Sequence, residues 1–102
     1  MPEWLTWLLQ YFQKYNLIVS ELDVLSDDEG YGSEYAVVIV NGFMFCIQGS
    51  DPNPYPAKFF YYVGVTFDKL LGSRYMNAPT VVLAIQKYLE CRNLEETRKY
   101  MG

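Results

Sequence analysis

Polar Glu3, Thr6, Gln10, Gln13 and Lys14 recur at steps of three and four, which collects them on one face of a helix over residues 2–15. At about 100° per residue those five cover roughly 100° of arc, while Trp4, Leu5, Trp7, Leu8, Leu9, Tyr11, Phe12 and Tyr15 spread over about 200°. Trp7 and Leu9 fall at the two borders of that apolar arc. The flanks are too apolar for a plain surface helix. Pro2 suits the first turn, and Asn16 is an acceptable exit.

From Leu17 the period changes to two. Ile18, Ser20, Leu22 and Val24 alternate with Val19, Glu21, Asp23 and Leu25, which predicts a strand with one mainly apolar side and one side carrying two carboxylates. Residues 27–33 read as an acidic loop. Residues 35–40 are a continuous apolar run, Asn41-Gly42 has the positive-φ preference of a type I′ turn, and residues 43–48 return, which predicts a hairpin. Pro52, Pro54 and Pro56 then remove donors at alternate positions and predict an extended loop. A fourth apolar run covers residues 58–65, and Thr66 is expected to cap a short helical turn over residues 67–71, closed by Gly72. Pro79 opens a helix to about Arg92. Asn93 with Glu96 three residues on is the start of a last short helix.

This order predicts an α+β fold in a single domain over residues 1–102. It comprises an N-terminal helix, a three- to four-stranded antiparallel sheet arranged as a meander around the Asn-Gly hairpin, and C-terminal helices. The central strands are apolar on both faces, so both sides of the sheet need cover. Helix 1 and the Pro79 helix supply one side, and a second subunit or a partner is expected on the other.

Composition narrows the chemistry. Half of the 102 residues are hydrophobic (51%) and 20% are charged, which is enough apolar material for a core and unlike a disordered chain. With no histidine, the commonest general base and metal ligand is missing. Neither the oxygen-ligand spacing of a calcium loop nor a phosphate-cradling glycine loop is present. The expectation is a protein that is not an enzyme and takes no cofactor or metal. Cys46 and Cys91 form no C-x-x-C pair and sit among apolar neighbours, as small buried thiols do. The first positive charge is Lys14, so no basic n-region precedes an apolar run, and the longest charge-free stretch, residues 35–50, is broken by Asn41-Gly42. A cytoplasmic protein with no membrane contact is expected.

Charge is distributed unevenly. Up to residue 56 there are eight acids against Lys14 alone, whereas residues 57–102 hold four acids and seven bases, within a net charge of -4. Glu21, Asp23, Asp27, Asp28, Glu29 and Glu34 form a tract without one Lys or Arg. Such a surface steers toward a basic protein partner and repels nucleic acid; it equally serves as a solvated edge that blocks aggregation. Ten Tyr and two Trp supply the side-chain types that anchor interfaces. Trp7, Leu9 and Leu83, the last standing among the polar residues of its helix, are the candidates for self-association as a homodimer. Phe43 and Phe45 are similar over five residues to the aromatic strand of RNA-recognition modules, but Met44 replaces the small residue there and the element order differs, so packing within the hairpin accounts for them. The overall expectation is a protein-binding domain, in its extreme form a small acidic inhibitor of the kind viruses direct at nucleic-acid-handling host proteins. The alternative is an assembly subunit that acts through homo-oligomerisation.

Overall fold

In a computed structural model, which describes residues 1–26, 34–49, 59–72 and 76–101, the first helix forms where the apolar period predicts it. Helix α1 (Glu3–Lys14) begins on the Pro2 carbonyl, which accepts from the backbone N–H of Leu5 and Thr6 at 3.2 and 3.1 Å. It buries Trp4, Leu5, Leu8 and Phe12. Asn16 ends it in the left-handed conformation at φ 60°, a region Asn tolerates better than most residues, and Leu17 N–H closes back onto Phe12 O at 2.9 Å.

Five strands follow: β1 (Val19–Ser26), β2 (Glu34–Val40), β3 (Phe43–Gly49), β4 (Tyr61–Thr66) and β5 (Lys69–Leu70). They form one antiparallel meander in sequence order. The β2–β3 hairpin turns on Asn41 (φ 49°) and Gly42 (φ 87°), the pair of positive angles a type I′ turn demands, with Val40 opposite Phe43.

Two strand expectations are corrected. Among the described residues the sheet has five strands rather than three or four, because the segment after Thr66 does not become a helical turn. The Thr66 hydroxyl does accept from Lys69 N–H at 3.1 Å, yet the chain reverses around Phe67 and Asp68 and pairs with β4 again, with a register shift between Gly64 and Thr66. In β1, a register shift between Val19 and Glu21 breaks strict alternation. Val19 therefore lies with the core, opposite Val40, and Ile18, expected on the apolar side, is 70% exposed.

Helix α2 (Ala78–Cys91) is capped by Asn77, whose side chain accepts from Thr80 N–H at 3.0 Å, with Pro79 in the first turn. Arg92 ends it in the left-handed conformation. The Asn93 side chain then accepts from Glu96 N–H at 3.0 Å and starts α3 (Leu94–Met101). Helices α1 and α2 pack on one face of the sheet. Phe12, Phe45, Ile47, Tyr61, Val63, Val81 and Ile85 are fully buried in that layer. The Trp4 ring meets the edge of Tyr61, and the Tyr61 hydroxyl donates to the Trp4 carbonyl. Gly49 leaves room for this contact: a Cβ there would fall on the Trp4 indole.

Candidate functional site

Strand register decides which side chains share the face turned away from the helices. On this outer face, one row across the strands runs Glu21, Ile39 and Met44, and another runs Asp23, Val37, Cys46 and Gly64. The next row runs Leu25, Tyr35, Gln48 and Tyr62. The face is thus acidic along β1 and apolar across β2 and β3. Met44 is 53% exposed and Leu25 42%, while Val37 and Ile39 are half-buried.

The far side of that face is partly closed by the β4–β5 hairpin. The Phe67 ring makes an edge contact with Tyr35, centroids 4.9 Å apart. A Cβ built on Gly64 would collide with the backbone of Thr66 and Lys69, so the hairpin backbone lies over the sheet at that point. Cys46, the neighbour of Gly64, is buried there, and burial pushes its thiol pKa up. The inner-face Tyr61 phenol is also pushed up, by burial first and by Tyr11 second, which keeps it a neutral donor.

Of the predicted acidic set, the structure brings Glu21 and Asp23 together, exposed on one face of one strand at the i, i+2 spacing. Glu34 is exposed at the start of β2, opposite Ser26, and alternation assigns it to the other face. Asp27, Asp28 and Glu29 lie outside the described residues. No ion pair joins Glu21, Asp23 or Glu34 to a base among the described residues.

Among the described residues, strand β1 is also the end of the sheet, pairing only with β2. Beyond that ladder, no backbone hydrogen bond among the described residues involves residues 20–25. Its start is anchored on the turn: Asn41 N–H donates to Ile18 O, and Ile18 N–H donates to Asn41 Oδ1, both at 3.0 Å.

The predicted self-association residues are placed differently. Trp7 is half-buried, its ring 5.7 Å from Tyr11 and 6.4 Å from Phe59. Leu9 is half-buried against the core. Leu83 is 47% exposed on α2, among buried Val81, Val82, Ala84 and Ile85. The hairpin phenylalanines are engaged within the domain. Phe45 meets the edge of Tyr88 at 5.8 Å, and the Arg92 guanidinium covers Phe43 at 5.0 Å. The outer-face cluster of Val37, Ile39 and Met44 was not singled out from sequence by residue. Its signal was the unbroken apolar run of β2, which a strand with one solvated face does not require.

Among the described residues, no three His, Cys, Asp or Glu side chains gather closely enough to hold a metal ion. No helix there is long and apolar enough to cross a membrane. Comparisons with protein-family models, curated proteins and solved structures found no match to the chain.

Proposed function

We propose that this chain is a non-enzymatic protein-binding domain that docks a partner with a basic surface on its acidic edge strand and the apolar outer face beside it. The observation that carries this reading is the adjacency of Glu21 and Asp23, in no ion pair among the described residues, to Ile39 and Val37. Carboxylates at the rim speed and orient encounter, and the apolar centre supplies burial once the partner has arrived. The strongly acidic first half of the chain extends that field. Inhibition of a nucleic-acid-handling protein by occupying its basic groove is the form of this activity best matched to the composition.

The test is affinity capture from the native cell at low and moderate salt, comparing the wild type with Glu21→Gln/Asp23→Asn and with Asp27→Ser/Asp28→Ser/Glu29→Ser. Capture by the wild type is expected to weaken with salt, and both variants are expected to capture less, most visibly at low salt. Equal capture by all three proteins removes the steering role.

A second reading, assembly through self-association, is favoured by exposed Leu83 on α2 and Met44 on the outer face. It requires a dimer or larger species by light scattering at micromolar concentration, disrupted by Leu83→Glu. A monomer under those conditions counts against it.

A further inference from the structure

The open side of β1 has two kinds of unused valence. Its outward backbone groups have no partner among the described residues, and such a row is a template for one more strand. Its side chains carry a period-two pattern: Glu21 and Asp23 on the outer face, Leu22 and Val24 on the inner. Leu22 is half-buried and Val24 is 41% exposed, so the inner rim of the sheet is incompletely covered at this border.

A strand added here shares both faces with β1, because side chains of neighbouring strands stand side by side. Its residues on the outer face lie next to two carboxylates, and those on the inner face lie next to Leu22 and Val24. A second copy of β1 fits poorly. Antiparallel pairing centred on Asp23 sets the two Asp23 side chains directly opposite each other, and like charges across a ladder are destabilising. The matching occupant has cations where β1 has anions.

We infer that β1 is a strand-addition site for an extended basic segment of a partner protein, with Lys or Arg at alternate positions and apolar residues between them. This rests on the reading above that the domain binds a basic protein, and it specifies the form in which the partner is recognised. Backbone hydrogen bonds to residues 20–25 provide the attachment. The pairing of cations with Glu21 and Asp23 sets which face of the segment turns outward.

The probe is a blocked six-residue peptide of alternating Lys and Val, titrated by fluorescence anisotropy against the full chain. Controls are the same composition in block order and the alternating peptide with its two inner valines replaced by proline, which removes donors. The alternating peptide is expected to bind about tenfold or more tighter than the proline peptide, the loss of one or two net hydrogen bonds. At saturation it is expected to slow amide hydrogen exchange across residues 20–25. Glu21→Lys/Asp23→Lys is expected to reverse the preference toward an alternating Glu and Val peptide. Equal binding of the alternating, block and proline peptides, absence of binding, or unchanged exchange in β1 at saturation overturns strand addition. If the three peptides bind equally and all weaken with Glu21→Gln/Asp23→Asn, charge-driven docking survives without it. If that variant also captures native partners as well as the wild type, both readings fall.

Discussion

The two borders of the sheet are finished in opposite ways. At one border, β4 is closed by covalent neighbours. The two residues of β5 pair with its end, Met76 exchanges two backbone hydrogen bonds with Tyr61 at 2.7 and 2.8 Å, Phe67 reaches Tyr35, and the Arg98 side chain donates to Leu70 O at 2.8 Å. At the other border, β1 runs for eight residues with no strand beyond it among the described residues and carries Glu21 and Asp23. Geometry blunts the first border; among the described residues, charge guards the second. A geometric closure is permanent, whereas a charged edge refuses like or neutral strands and admits one of opposite sign.

That contrast is open to attack at both borders. The largest effect is expected at Gly64, where alanine forces its Cβ into the hairpin backbone. Gly64→Ala should lower stability by about 2–3 kcal/mol in chemical denaturation. It should also make Cys46 alkylate faster with iodoacetamide, since the hairpin beside it must lift. Phe67→Ala removes the edge contact with Tyr35 and should cost about 1 kcal/mol by the same measurement. Arg98→Ala loses one exposed hydrogen bond to Leu70 and should cost about 0.5–1 kcal/mol. At the opposite border, Glu21→Gln/Asp23→Asn should change stability by less than about 0.5 kcal/mol. Removing the carboxylates should nevertheless raise self-association in light scattering, because among the described residues they are what guards that edge. Lys69→Gln, made on the closed border as the matched control, should leave scattering unchanged.

The sequence was most legible where a few neighbouring atoms settle the outcome. Asn41-Gly42 supplied two positive φ angles, Asn93 reached Glu96 N–H three residues on, and the apolar arc of α1 named its buried residues. The cover that the first helix and the Pro79 helix give to one face of the sheet was legible too. What was not legible depends on residues distant in sequence. Thr66 makes the local hydrogen bond expected of a helical cap, but pairing of Leu70 with Gly64 across the reversal outweighs it and produces β5. The register shift between Val19 and Glu21 breaks the alternation read along β1, so Ile18, assigned to the apolar side, is exposed. The place of β4 beside β3 rests on the pairing of residues 46–49 with residues 61–64, and with it which acids border an edge. Glu21 and Asp23 border an edge among the described residues because β4 sits at the other side.

The paired hydrogen bonds between Asn41 and Ile18 have a consequence for that border. A slide by two residues keeps the faces a strand presents, so alternation by itself does not forbid it, and the burial of one face and the turn geometry must. Here one amide side chain stapled beside the turn fixes the phase of the whole segment at its first residue. Whatever meets this rim encounters its anions at constant height, a ruler whose zero is set by a single asparagine.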